Sequence, residues 1–441
     1  MSLHAPLVED APLVEDAPPV KAARRPLADA GWTLTGPVTP PHPLPWLGSR
    51  RLPTPVAFGL LASLMVSFLA ASSAPTPLYS TYQAAWGFTP ITTTMVFGVY
   101  ALAVLAALLT FGKLSDHVGR RPILITAALL QAVAMIVFST AGGVPELLLA
   151  RIIQGLATGA AAGAIGAALL DLNPTRGTIA NAVAAPAGTG TGSLLAGLLV
   201  QYLPAPTHTV YYVLLTIFVV QAVGVVLMHE TVTKRPGALA SLAPEFTIPS
   251  AARRPMLAAA PALVAAWALA GLYGALGPAL VRSVTGSQNL LLGGLSLFAL
   301  AASGALTVLL TRGAGPRSVM TYGGFALLVG VGLTLVSVSG GGSTLGFFLG
   351  TVIAGTGFGA GFQGAIRTVV PTAAAHERAG LLSVVYSISY LAMGLPAVIA
   401  GFLVVHDGGL LRTAREYGAG VMILAALSLL GLARRDKAAA A

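Results

Sequence analysis

Apolar segments of about 20 residues recur along this chain, and each is long enough to cross the ~30 Å hydrocarbon core of a bilayer as a helix. Twelve such segments follow one another from Pro55 onward. They span residues 55–74, 91–111, 123–141, 147–170, 178–201, 209–228, 257–281, 290–311, 318–338, 345–366, 379–403 and 417–433. Backbone polar groups in lipid must be bonded within the segment, so runs of this length are helices. The alternating strands of a membrane β-barrel do not occur. The sequence therefore predicts an all-α membrane protein.

The composition supports this reading and excludes several kinds of site. Charged residues make up only 9% of the chain, whereas a soluble domain carries about 25%. There is no cysteine, which excludes disulfide scaffolds, thiolate metal sites and cysteine nucleophiles. The seven histidines include no pair at metal-ligand spacing. We therefore expect neither a metal site nor a cofactor.

The distribution of cations predicts the orientation in the membrane. If the N-terminus is cytoplasmic, twenty of the 24 lysines and arginines lie in inside loops and tails. Only Arg282, Arg412 and Arg415 lie in outside loops, and Arg151 lies within a helix. By the positive-inside rule, both termini are expected in the cytoplasm of a multi-pass protein of the cell (inner) membrane. This bias also accounts for the basic character of the chain without a nucleic-acid partner.

Five regions are predicted along the chain. Residues 1–52 are rich in proline and lack an apolar run, which is typical of a disordered cytoplasmic tail. Residues 53–228 and 257–433 each hold six of the apolar segments, and 229–256 is a cytoplasmic central loop between them. A short cytoplasmic tail, 434–441, ends the chain. Two equal six-helix bundles around a central cavity are the design of many transporters.

The loop after the second segment, GKLSDHVGRRP at 112–122, is the most specific motif of the chain. Its pattern G-x-x-x-D-x-x-G-R-R is carried by Gly112, Asp116, Gly119, Arg120 and Arg121. Glycine permits a tight turn, and Asp116 can accept bonds from helix N-termini or an arginine, forming a latch that breaks when the bundles rock. This loop resembles the signature loop of the major facilitator superfamily (MFS). The corresponding loop at 312–317 keeps basic ends but lacks the aspartate, so we expect an asymmetric latch.

The fourth segment is similar to another motif of that superfamily, R-x-x-x-G with a nearby glutamine. Arg151, Gln154, Gly155 and Thr158 are spaced to share one helix face. An arginine facing lipid is costly, so we expect this face to point into the bundle as a coupling or cavity site. Snorkelling of Arg151 to the outer interface is the alternative. Glu146 lies nearby on a different face.

Three further stretches resemble a bacterial, drug-efflux-like subset of the superfamily. They are residues 73–83, 355–359 and 376–380. The fifth segment departs from that subset, because Ser193 and Ala196 replace a proline and a glycine of its drug-exporter element. This departure weakens an antiporter assignment without cancelling it.

Polar and aromatic side chains within the apolar segments are the candidates for binding substrate. They are Tyr79, Tyr82, Gln83, Trp267, Tyr273, Gln363, Tyr386 and Tyr390. The first three can either line an outer vestibule or belong to an aromatic belt at the interface. The stretch GAGFQG at 359–364 matches a dinucleotide fingerprint but lies in an apolar helix without a preceding strand. The chain also lacks a P-loop, so no ATP coupling is expected.

The resemblance implies a secondary transporter that works by alternating access and is not an enzyme. We expect proton-coupled export of an amphipathic or aromatic drug or metabolite, including lipophilic cations and neutral compounds. The coupling acid would be Glu146 or Asp116, since no carboxylate lies mid-helix. An uncoupled facilitator, a narrow-specificity metabolite importer and, least favoured, a non-transporting membrane sensor are the alternatives. The expected partners are the substrate, protons and lipid, without nucleic acid or ATP, and we expect a monomer.

Overall fold

The computed structural model describes residues 51–339, 343–374 and 376–440, with side chains as far as 433. The predicted disordered tail therefore lies outside the described residues except for its last two positions. In the described part, the chain forms helices joined by turns and extended segments, without a β-strand. Twelve of these helices are long and apolar enough to span a membrane. The predicted all-α architecture of twelve transmembrane helices is confirmed.

Fourteen α-helices are labelled here in chain order. They are α1 (Thr54–Ser73), α2 (Tyr79–Trp86), α3 (Pro90–Phe111), α4 (Leu114–Val118), α5 (Arg120–Ser139), α6 (Val144–Leu172), α7 (Pro174–Tyr202), α8 (Pro206–Val226), α9 (Ser250–Thr285), α10 (Leu290–Leu310), α11 (Pro316–Ser339), α12 (Thr344–Val369), α13 (Arg378–His406) and α14 (Gly409–Ala440). The short helices α2 and α4 are not membrane spans. We call α1–α8 the first half and α9–α14 the second half.

Local sequence signals account for many helix ends. Proline stands in the first turn of α1, α3, α6, α7 and α8, where its missing N–H is not needed. The side chain of Asn173 caps α7 by accepting a bond from the Arg176 amide at 2.9 Å. Gly87 ends α2 with φ of 66°, a left-handed conformation that favours glycine.

Two helices begin about two turns earlier than the apolar pattern predicts. Helix α9 begins at Ser250 and α14 at Gly409, ahead of the predicted starts at 257 and 417. Apolar periodicity stops where charged residues begin, but a helix can continue beyond the hydrocarbon. In α14, for example, Arg412 donates to Glu416 across 2.8 Å, one turn along the same helix. The central segment is consequently shorter than predicted, and α14 also continues into the predicted C-terminal tail.

Eight helices form a closed ring, and we call the interior of this ring the central space. Neighbouring helices in contact follow the closed order α1, α6, α3, α13, α9, α12, α10, α7 and back to α1. The first and second halves meet at two seams in this ring, α3 with α13 and α7 with α10. Helices α5 and α8, and likewise α11 and α14, pack outside the ring within their own half. The two halves thus repeat one packing pattern, as expected of a duplicated bundle.

The two seams are closed toward one end of the molecule, where Gly401 of α13 also lies tightly against Thr94 of α3. We call it the cation-poor end because it holds Arg282, Arg412 and Arg415, and we call the opposite end the cation-rich end. At the cation-poor end, the amide of Leu290 donates to Gln201 across the α7–α10 seam at 2.9 Å. A methyl group added at Gly294 would lie 2.4 Å from the Ser193 carbonyl oxygen. These contacts hold the halves together there.

Gly294→Val should therefore open the cation-poor end. The added side chain must displace the backbone of α7, at a cost of about 1–3 kcal/mol to the closed state. Because the chain has no cysteine, a single Thr93→Cys reporter at this end can be labelled with a membrane-impermeant maleimide. We expect labelling to become roughly fivefold faster or more. The control is Gly420→Val, where an added Cβ meets nothing within 4 Å. Equal labelling rates in both variants would show that this contact does not hold the seam.

Candidate functional site

A buried arginine organises the first half. The Arg151 side chain of α6 is fully buried, so it points into the bundle and does not snorkel to the interface. Its guanidinium donates to the Ser72 carbonyl at 2.8 Å, to Oε1 of Gln154 at 2.6 Å and to the hydroxyl of Tyr79. The amide of Gln154 in turn donates to the Ala71 carbonyl at 3.0 Å. Arg151 and Gln154 thus join α6 to the end of α1.

The positive charge of Arg151 is balanced by neutral groups alone. Its guanidinium carbon lies 5.1 Å from the ring centre of Tyr100, 5.7 Å from that of Tyr79 and 5.8 Å from that of Phe138. Such cation–π contacts are favourable when the cation is desolvated. Glu146 is exposed at the start of α6 and is not among the hydrogen-bond partners of Arg151. No aspartate or glutamate is buried in the described part of the chain.

A cavity of about 110 Å³ lies between the halves at the cation-poor end. The first half contributes its polar wall, which includes Thr76, Tyr79, Ser80, Gln83 and Thr93. The second half contributes Arg282 and apolar side chains of α9, α13 and α14. The hydroxyl of Tyr79 therefore links this cavity to Arg151. The sequence left Tyr79 and Gln83 either at an outer vestibule or in an aromatic belt, and it offered Arg282 only as an orientation signal.

An aromatic cluster lies on the second half, on three helices of the ring. The ring centre of Trp267 is 5.4 Å from Phe362, 5.1 Å from Tyr390 and 6.5 Å from Phe358. All four side chains are half-buried, and α9 and α12 are covered on the outside by α14 and α11. The cluster therefore faces the central space. Phe358 and Phe362 were not predicted, although their spacing of one turn on α12 is the signal that could have found them.

The latch motif forms an ion-pair cluster at the cation-rich end. Arg120 is 7% exposed and pairs with Asp116, with Asp171 at 3.3 Å and with the Ser115 hydroxyl at 2.7 Å. Gly119 has φ of 105°, a left-handed conformation that favours glycine. The latch thus fastens α4 and α5 to the end of α6, all within the first half.

The start of the central segment completes the latch. The carboxylate of Glu230 accepts the amides of Arg120 and Arg121 at 2.8 and 3.1 Å, capping the start of α5. Arg121 donates to carbonyls at the end of α8, including that of Val225 at 3.3 Å. Farther along, Lys113 pairs with Glu245. The central segment is therefore bound to the latch.

The sequence matches the model of the Major Facilitator Superfamily over residues 57–400, which is more than half of the chain. The chain belongs to this superfamily. Members of this superfamily are secondary transporters, and so is this protein. No curated protein sequence matches the chain.

Solved MFS structures share the fold. A mutant of the nucleoside transporter NupG superposes with a TM-score of 0.64 at 12% sequence identity, covering 86% of this chain and 98% of its own. The human organic anion transporter MFSD10 (TETRAN) superposes with a TM-score of 0.58 at 17% identity, covering 87% and 99%. At these identities the similarity is one of fold alone.

The second half of this MFS transporter retains part of the latch. Arg317, in the loop that lacks the aspartate, donates to the Leu432 carbonyl of α14 at 2.7 Å. Arg121 makes the equivalent contact with the end of α8 in the first half. The contact with the last helix is thus present in both halves.

Four predicted site residues are mainly structural. Tyr82 is buried in the first half, where its hydroxyl donates to Tyr211 at 3.0 Å, and burial raises the pKa of Tyr82 above its usual value. Tyr273 is a core residue bonded to Thr351 at 2.8 Å. Thr158 bonds back to the carbonyl of its own helix, beside the close approach of α6 to α3. Gln363 accepts a bond from Thr311 at 2.8 Å and ties α12 to α10. A fifth predicted residue, Tyr386, is half-buried and lies one helical turn before Tyr390.

Proposed function

We propose that this transporter exports a small aromatic or amphipathic compound across the cytoplasmic membrane. The observation that supports this proposal is the cluster of Trp267, Phe358, Phe362 and Tyr390 on the wall of the central space. Aromatic groups of a ligand stack favourably against such side chains. Neutral or anionic compounds suit this space better than lipophilic cations, because Arg151 is a buried positive charge with neutral partners.

The proposed direction of transport rests on the orientation that the cations predict. If the cation-rich end is cytoplasmic, the closed seams separate the central space from the outside. Substrate would then load from the cytoplasm and leave after the seams open, as alternating access requires. This order of events describes export.

We propose the proton gradient as the energy source, with Asp116 or Glu146 as the coupling acid. A second candidate is an uncoupled facilitator, and it is favoured by the positions of the acids. The described aspartates and glutamates lie at helix ends or in connecting segments, apart from the exposed Glu416 in the first turns of α14, and none of them is buried. Proton flux driven by a transported substrate in proteoliposomes separates the two: flux lost in Asp116→Asn or Glu146→Gln supports coupling, and transport without flux supports a facilitator.

Trp267→Ala should impair transport of aromatic compounds. Expression in an efflux-deficient bacterium should lower the accumulation of aromatic dyes relative to empty vector, and a protonophore should restore it. Loss of the indole removes the centre of the aromatic cluster, so we expect the export rate to fall roughly tenfold, equivalent to about 1.4 kcal/mol. The matched control is Phe325→Ala, an exposed aromatic residue on the outer helix α11.

The two variants give distinct outcomes when membrane levels of protein are equal. A loss in Trp267→Ala alone supports the central space as the binding site. Equal activity in both variants would contradict that assignment. No change in accumulation of any dye or drug on expression of the wild-type chain would contradict export of such compounds.

A further inference from the structure

We infer that the cavity at the cation-poor end binds the anionic group of an aromatic substrate, such as a carboxylate. The group would lie between Arg282 of the second half and Tyr79 and Gln83 of the first half. This inference rests on the proposed function and narrows it, since it names aromatic acids as the substrate class.

Arg282 is the source of positive charge in this cavity. Its side chain is partly buried and has neither an ion-pair nor a hydrogen-bond partner among the described residues. The acids nearest in sequence to the cavity wall are already engaged, because Arg412 pairs with Asp407 at 3.2 Å and with Glu416 at 2.8 Å. No described acidic residue lines the cavity. A partly desolvated guanidinium without a counter-charge favours an anion.

The opposite wall supplies hydrogen-bond donors. Tyr79 lines the cavity, and its hydroxyl oxygen accepts a bond from Arg151, so the hydroxyl hydrogen is available to an acceptor. A donor that itself accepts a bond from a cation is strengthened. The side-chain amide of Gln83 has no hydrogen-bond partner in the described part of the chain and offers two more donors. Charged and neutral donors therefore converge on one cavity.

The size of the cavity suits one functional group better than a whole drug. Its volume of about 110 Å³ holds a few water molecules, which a carboxylate can replace. Because the donors come from both halves, an anion bridges them only while this end is closed. Opening separates Arg282 from Tyr79 and releases the anion. Binding should therefore stabilise the closed state relative to the open one. The gain in free energy equals the difference between the anion's binding free energies in the two states.

The test uses the purified full-length chain, with benzoate and its neutral analogue benzamide as probes. Benzoate at constant ionic strength should raise the thermal unfolding midpoint of the wild type more than benzamide does. Arg282→Gln should weaken benzoate binding about tenfold or more and leave benzamide unaffected. Arg415→Gln, which removes an exposed cation from the same end, should bind benzoate like the wild type.

The proposal is overturned if benzoate stabilises the wild type no more than benzamide, or if Arg282→Gln binds benzoate as the wild type does. Export of a neutral aromatic dye, measured in the same variants, separates this failure from failure of the proposed function. If the dye is exported normally but benzoate and benzamide stabilise the protein equally, only the anion site is contradicted. If benzoate binding depends on Arg282 but no compound is exported, the proposed export is contradicted and the anion site is supported.

Discussion

We expect Arg151→Met to reduce transport about 100-fold or more while the protein remains folded. The substitution removes the three hydrogen bonds that the guanidinium donates, to the Ser72 carbonyl, to Gln154 and to Tyr79. Hydrogen bonds from a charged group contribute about 1.5–3 kcal/mol each, so losing them from the transporting state is sufficient for an effect of this size. Initial rates in proteoliposomes, normalised to the amount of folded protein, measure it.

Stability should respond very differently from transport. Removing the buried charge also removes its desolvation cost, which offsets the lost hydrogen bonds in the folded state, and Arg151 has no acid that would be left unpaired. We expect the free energy of unfolding to change by less than about 2 kcal/mol.

Arg151→Lys keeps the positive charge but loses the planar guanidinium group, so it should also transport poorly. Arg176→Met, at an exposed position, is the control. Wild-type rates in Arg151→Met would refute a role for this network in transport.

Arg120→Gln should affect stability as well as transport. This side chain is nearly buried between Asp116 and Asp171, and its removal leaves two carboxylates facing each other without a cation. Breaking a fully buried pair costs about 3–5 kcal/mol, but both carboxylates are partly exposed, so we expect about 1–3 kcal/mol. Thermal unfolding in detergent measures this loss.

The transport defect of the latch variants has a distinct cause. Asp171 of this cluster also accepts a bond from the Thr231 hydroxyl of the central segment at 3.0 Å, so loss of the cluster loosens that segment from the first half. Asp116→Asn removes a single charge and should give the smaller loss of stability. Arg176→Gln, an exposed cation at the same end, should behave as the wild type. A stable, fully active Arg120→Gln protein would contradict the latch.

Much of the site could be anticipated from residue types that are costly in a membrane. Arg151 was assigned to the bundle interior because a lipid-facing arginine is unfavourable, and its side chain is fully buried. Tyr273 shows the limit of such reasoning. A tyrosine in an apolar helix can face a cavity or the core, and only its contact with Thr351 distinguishes the two.

Arg282 shows a second limit. The sequence around Arg282 shows only that this residue lies near the end of a helix. The cavity that it lines is built from the turn after α1, from α2 and α3, and from three helices of the second half, so no local pattern predicts it. Phe358 and Phe362 were missed for the same reason, since their partners Trp267 and Tyr390 lie on other helices.

The sequence by itself determined the twelve membrane helices, the two equal halves and the latch motif, because hydrophobic length, cation distribution and loop chemistry are local properties. The tertiary structure decided which helices form the seams, which aromatic side chains face the central space and which cations lack a partner. These features depend on the approach of helices that are far apart in sequence. Arg151 belongs to both groups: its burial follows from the cost of a charge in lipid, whereas its neutral partners follow only from the packing of α1, α3 and α5 around it.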